Sequence, residues 1–362
     1  MWAAFSGKRK RVGLIAEPLA REPPLSRVGG GAAVPWRDGE AETELCFPNL
    51  NSSCSRLKRS PSDSVLIYVI LTAISLLTVA LNLLVIISIS HFKQLHTPKN
   101  HLLLSLAVSD FFVGLNMCFQ SMLIDGCWYL GDLMCVLYYV CDIVVTSASV
   151  GTMVLISVDR YVAICDPLHY PTKVTPKRVQ TCVLMCWICS LLLVGVLLKD
   201  NLDKPGRFNS CFGECVIYVD FAIQVADLIL TFLLPITVIV ILYLRVFAVA
   251  VFQIRTMQPH VAAVTQRGKV SPKKSELKAA RTLGVVILAF LICLFPYYCV
   301  ILSGQDTLLD ILSVTFFLCL FYFNSCLNPI ISAFFYPWFR KSVKLIVTFQ
   351  IVKSGSSDAS ML

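Results

Sequence analysis

Seven apolar runs set the pattern of the chain, near 64–90, 99–124, 132–165, 178–199, 216–248, 278–303 and 307–332. Each is long enough to cross a bilayer as a helix, which takes about 20 residues. After them, YPWFRKSVKLIVTF mixes apolar and basic residues at helical spacing and reads as a short amphipathic helix on a membrane surface. The predicted fold is an all-α membrane protein, a seven-transmembrane helix bundle with a short amphipathic eighth helix. Its expected divisions are an extracellular N-terminal tail at 1–63, the bundle at 64–332, and the last helix with a cytoplasmic tail at 333–362. The first 45 residues are basic and rich in Gly and Pro, with Lys8-Arg9-Lys10-Arg11 near the start and no signal-peptide core. They read as a largely disordered tail or a misassigned first exon.

Charge orients the runs. Basic residues gather after runs one, three and five: His91, Lys93 and Lys99; Arg160, Lys173, Lys177 and Arg178; Arg255, Arg267, Lys269, Lys273 and Lys274. The alternate segments hold chiefly Lys204 and Arg207. Positive residues stay cytoplasmic. The N-terminus is therefore expected outside the plasma membrane and the C-terminus inside. The tail and Arg56, Lys58 and Arg59 weigh against this more weakly. On the outer side, Asn51-Ser52-Ser53 is a glycosylation sequon.

The third run carries the chemistry. Cys135, Asp142 and Ser149 recur every seven residues, close to two helical turns. Asp142 and Arg160 are eighteen residues apart, roughly 27 Å along a helix at about 1.5 Å per residue. One face thus aligns a thiol, a carboxylate, a hydroxyl and a guanidinium. An ionisable group at membrane depth is costly and marks a functional site. The bland alternative is an Asp satisfied by neighbouring hydroxyls in an inert bundle.

Other runs add inward polar residues: Asn82, Asp110, Asp227, Asn324, Ser325 and Asn328. Pro235, Pro296 and Pro329 interrupt runs five to seven and permit kinks. Buried polar groups on kinked spans point to a switch or a transport path rather than an anchor.

Composition agrees. Of 362 residues, 57% are apolar, and mean hydropathy is +0.74. The net charge of +9 lies in short loops, which argues against nucleic-acid binding. Most of the sixteen cysteines sit inside apolar runs as small hydrophobes. Those near the outer face are Cys46, Cys54, Cys135, Cys211 and Cys215.

Together these residues resemble a rhodopsin-like G-protein-coupled receptor over roughly 64–345. The marks are Asn82, LSLAVSD ending at Asp110, Trp128 with Cys135, Asp159-Arg160-Tyr161, Trp187, Pro235 with Tyr243, Pro296, and Asn328-Pro329. SISHFKQLHTPKNHLLLSLAVSD, the Cys211/Cys215 pair and SAFFYPWFRK are similar to the trace amine-associated receptors, a vertebrate family that detects amines, mostly in olfactory neurons.

The resemblance implies specific roles. Asp142 stands where amine receptors pair an aspartate with the ligand ammonium. Asp227, eight residues before Pro235, replaces a usual serine or threonine. A second acid there matches family members that favour diamines, with one ammonium on each carboxylate. Two like charges in one pocket favour an intervening cation. The alternative is a monoamine on Asp142 alone. Tyr297, Tyr298 and Tyr322 are expected to offer aromatic faces to the ligand, Tyr322 also bonding Asp142; core packing is the plainer role for Tyr298. Cys135 is expected to pair with Cys215, and Cys211 with an N-terminal cysteine, Cys46 in preference to Cys54. Asp110, Ser149, Asn324, Ser325 and Asn328 match a cluster that binds sodium in related receptors; a water-filled network is the alternative. Arg160 and Glu276 match the pair that locks the cytoplasmic end, flanked by Asp159 and Tyr161. Val150, Pro235 and Phe290, with Tyr243, match the connector between pocket and lock. A heterotrimeric G protein, of the cyclic-AMP-raising class by analogy, is the expected partner. Beyond a sodium ion no cofactor is expected.

Three positions depart from the pattern. Leu294 and Cys319 replace expected tryptophans, and Ser332 replaces the tyrosine that closes the motif begun by Asn328-Pro329. These changes motivate a third reading, a weakly signalling or decaying copy. An enzyme is not expected, since the acids lack a nucleophile or metal-ligand set. A transporter is the rival from another class, but the inverted repeats it calls for are not evident.

Overall fold

The computed structural model describes residues 44–56, 60–261, 284–285, 288–296, 311–353, 356–358 and 360. The first helix, α1, is Pro61–His91; α2 is Pro98–Asn116 and α3 is Gln120–Asp125, parted by a 3-10 turn at Met117–Phe119. Next come α4 at Gly131–Cys165, the short α5 at Tyr170–Lys173, α6 at Pro176–Leu197 and the short α7 at Lys199–Asp203. Then α8, Phe221–Leu228, runs through a π turn at Ile229–Leu233 into α9, Leu234–Val261. Residues 288–296 are helical (α10), followed by α11 at Ile311–Phe335 and α12 at Pro337–Val347.

The helix starts follow local chemistry. Ser60, Thr97 and Thr175 each precede a proline, and each accepts a bond from a backbone N–H three residues on. Proline at the first position has no N–H to lose, and such caps are worth about 1 kcal/mol each. The π turn lies just before Pro235, whose ring cannot sit over a regular preceding turn.

Five stretches among the described residues are long and apolar enough to cross a membrane: Pro61–His91, Pro98–Asp125, Gly131–Cys165, Pro176–Leu197 and Phe221–Val249. Thr315–Ile331 is a shorter apolar helix. The most apolar windows of α2–α3 and α4 are 56% and 50% buried, against 17% for α6. So α2–α3 and α4 are the inner helices, α4 packing against α2, α6 and α9, while α6 leaves Leu184, Leu191 and Leu192 exposed on an outer face. Leu106, Val150, Met153, Phe232, Ile239, Phe290 and Leu294 form a core shared by α2, α4, α9, α10 and the π turn.

Several boundaries differ from expectation. The first helix starts at Pro61, inside the predicted tail, because Ser60 and Pro61 start it. The second run breaks at the 3-10 turn. The fifth run becomes helical only at Phe221, where Asp220 caps the Ala222 N–H at 2.9 Å; Val216 to Val219, beside Cys215, are not helical. The last long helix continues to Phe335 and stops before Pro337, which starts α12. In α12, Phe339 and Ser342 are buried and Arg340 and Lys341 exposed, so its two faces differ sharply.

At the Cys135 end, three disulfides lie together. Cys135 is bonded to Cys215. The expected Cys46–Cys211 bond does not form; Cys211 joins Cys54, and Cys46 joins Cys127. The reason is backbone pairing. Leu45 bridges Ser55, and Ser53 bridges Phe212. Cys54 N–H donates to the Phe212 carbonyl at 3.0 Å, which sets Cys54 beside Cys211. Arg56 then pairs with Asp125 at 3.2 Å, and the Tyr68 hydroxyl donates to the same carboxylate at 2.5 Å.

Candidate functional site

Asp142 is half-buried midway along α4. Its Oδ1 accepts from Asn116 Nδ2 at 3.1 Å and from the Tyr322 hydroxyl at 3.3 Å. The donors come from the last residue of α2 and from α11, and a 3-10 turn at Met117–Phe119 follows Asn116. Among the described residues no donor engages Oδ2. A carboxylate held by one oxygen with the other available can take a cation.

Asp227 lies on α8 and is half-buried. Its Oδ1 is shielded from solvent and has no hydrogen-bond partner among the described residues. One turn earlier, Ile223 packs on the cluster of Tyr139, Val144 and Val194, so this face of α8 turns toward α4 and α6. Thr231 spends its hydroxyl on the Asp227 backbone carbonyl at 2.8 Å.

Around Asp142 the sequence reading missed three residues. Tyr138 hydroxyl donates to Gln120 Oε1 at 2.6 Å, and the Tyr322 hydroxyl lies 3.2 Å from that same oxygen. Asn116 is the third. The signal was available: Asn116 and Gln120 are polar residues four apart within an apolar run, and Tyr138 lies one turn before Asp142. Cys127 was missed as well, although it completes an even set of six cysteines near that end.

Asp110 is fully buried. It accepts from Ser149 Oγ at 3.3 Å and Asn328 Nδ2 at 2.7 Å. Asn82 Nδ2 donates to the Ser325 carbonyl at 3.1 Å, tying α1 to α11 beside this cluster. Asn324, Ser325 and Ser149 line a small cavity of about 20 Å³ with Thr146, Phe290 and Leu294. These oxygen donors fit a hard monovalent cation or water.

At the opposite end of α4, Arg160 Nε donates to Asp159 at 2.9 Å, and the Tyr170 hydroxyl donates to the same carboxylate at 2.8 Å. Burial first, then the Asp159 charge, pushes the Tyr170 phenol up to about 12. Tyr161 packs beside Ile164 and Val246, joining α4 to α9. Val150 and Phe290 share one core with Tyr243 at its edge, and Pro235 is buried. Tyr243 reaches Gly284 so closely that a Cβ there would collide with the hydroxyl. Tyr297, Tyr298 and Glu276 lie outside the described residues, as does the Ser332 side chain. Asn51 is exposed on a turn.

Residues 81–331 match the 7 transmembrane receptor (rhodopsin family). The chain is 38% identical over 342 residues to trace amine-associated receptor 8a of Rattus norvegicus, covering 89% of this chain and 97% of that protein. It is 39% identical over 337 residues to trace amine-associated receptor 13c of Danio rerio, covering 88% and 96%. Against trace amine-associated receptor 8 of Homo sapiens, identity is 37% over 332 residues, covering 88% and 96%.

Proposed function

Since the chain belongs to the rhodopsin family of seven transmembrane receptors, and within it to the trace amine-associated receptors, we propose that it binds a flexible diamine between Asp142 and Asp227 and signals to a heterotrimeric G protein. It is a multi-pass membrane receptor, not an enzyme. In this reading the N-terminus and the Asn51 sequon are outside the plasma membrane, and α12 lies on the inner leaflet. The observation that carries the diamine is Asp227 Oδ1, shielded from solvent and without a hydrogen-bond partner among the described residues. A buried charge without a partner is strongly unfavourable, and an ammonium supplies one. Asp142, with Oδ1 anchored by Asn116 and Tyr322, takes the first ammonium. Tyr297 and Tyr298 stay proposed ligand contacts, and Glu276 the partner that Arg160 meets in the closed state. Sodium at Asp110 is a further element of the same reading. Ligand binding shifts a pre-existing equilibrium through the core of Val150, Phe290 and Pro235.

A second reading has its own support. Leu294 and Ser332 stand on the proposed route from pocket to lock, and their loss of aromatic groups favours a receptor that binds amines but signals weakly. Cyclic-AMP assays in transfected cells, with a panel of mono- and diamines and labelled-amine binding, test both. A cyclic-AMP response to diamines supports the first reading, and binding without response the second. Uptake of labelled amine without cyclic AMP would overturn both in favour of a transporter.

A further inference from the structure

We propose that Gln120 is a specificity-determining residue of this pocket: it accepts the Tyr322 hydroxyl hydrogen bond, turns that oxygen's lone pairs toward the ligand, and so selects amines with spare N–H groups. The inference rests on the reading of Asp142 as an ammonium site.

The geometry is a competition for one proton. The Tyr322 hydroxyl lies 3.2 Å from Gln120 Oε1 and 3.3 Å from Asp142 Oδ1. A phenol has a single proton and can also accept, so it serves one of these oxygens at a time. Gln120 is only 2% exposed, and Tyr138 anchors its Oε1 at 2.6 Å. Tyr138 is itself packed edge-on against Phe119 and tilted against Trp128. The 3-10 turn at Met117–Phe119 restarts the helix at Gln120 and delivers the side chain to this spot.

Without a cation the carboxylate is the stronger acceptor and draws the proton. An ammonium on Asp142 supplies its own charge-assisted bonds. The Tyr322 O–H then turns its hydrogen bond to Gln120 Oε1, and the phenolic oxygen accepts from the ligand. A primary ammonium has three N–H groups and can serve both Asp142 and Tyr322. A protonated tertiary amine has one, which Asp142 uses. Gln120 therefore favours primary over tertiary amines at this end of the ligand.

The test uses the full-length receptor and a matched pair, a primary diamine and the same diamine bearing N,N-dimethyl groups. Potency in a cyclic-AMP assay is corrected for surface expression. Q120L weakens the primary diamine by roughly three- to tenfold, the worth of about one hydrogen bond, and the dimethyl compound by less than about twofold. Tyr322→Phe shows the same selectivity, and the double variant is no worse than Tyr322→Phe alone, as expected for residues acting as one unit. Should Q120L fail to reach the surface, Tyr138→Phe unfastens the same oxygen and weakens the primary diamine selectively. Equal losses for both compounds, no loss for either, or additive losses in the double variant overturn the proposal. Asp142→Asn separates the two readings: if it leaves potency unchanged, the ammonium site itself is misplaced. If it abolishes the response while Q120L keeps wild-type selectivity, only the role of Gln120 fails.

Discussion

Asn328 Nδ2 donates to Asp110 Oδ2 at 2.7 Å, joining α11 to α2 across a carboxylate with no exposure to solvent. Breaking a buried bond to a charged group costs about 1.5–3 kcal/mol. Asn328→Ala is expected to lower the unfolding temperature of the detergent-purified receptor. Asp110→Asn, which keeps the shape and removes the charge, is expected to cost less. A larger loss in Asp110→Asn would show that the charge itself is satisfied, by an ion or by protein groups.

Cysteine pairing gives a direct chemical prediction. Cys127→Ser frees one N-terminal thiol, Cys46, and leaves the Cys54–Cys211 peptide intact in a non-reduced digest. A peptide joining Cys46 to Cys211 would contradict the backbone bridge that sets Ser53 beside Phe212.

Leu294 is 3% exposed and shares a wall with a cavity of only about 20 Å³. Leu294→Trp restores the aromatic group of the family pattern but brings in a far larger side chain. Overpacking of this kind costs about 1–3 kcal/mol. The variant is expected to unfold at lower temperature than the parent. An unchanged or raised unfolding temperature would mean that the site opens more readily than its packing implies.

Asp166, in the loop after α4, is held down to about 2 by its bond from Lys173 and then by His169, at 2.8 Å and 2.7 Å. A lowered carboxylate pKa gives a contribution present above the ordinary value of about 3.9 and lost as pH falls through the folded value. The loop contacts should therefore persist at pH 4 and disappear near pH 2. Carboxyl-carbon NMR of the Asp166 side chain in purified receptor reads this directly, and a midpoint near 4 would remove the pairing.

Hydrophobic length alone made the first five spans legible, because an apolar run can satisfy its backbone in a membrane as a helix. Ser60-Pro61 is a helix start written in the sequence, three residues before the expected one at 64. Spacing along one helix placed Asp142, Ser149 and Arg160 on α4. What stayed hidden depended on contacts between segments far apart in sequence. Asn116 and Gln120 look ordinary until the turn at Met117–Phe119 aims them at Tyr322 and Asp142. The choice between Cys46 and Cys54 needed the small bridge at Leu45 and Ser55, which no periodicity announces. Resemblance supplied the sodium cluster, whose members come from three helices.

The central claim is that Asp227 takes the second ammonium of the ligand. Its most direct test is the ratio of diamine to monoamine potency in wild type and Asp227→Ala, at matched surface expression and with matched chain lengths. The account predicts that Asp227→Ala lowers diamine potency by more than about tenfold, the scale of a lost buried ion pair, and leaves monoamine potency within about twofold. An unchanged ratio would contradict it.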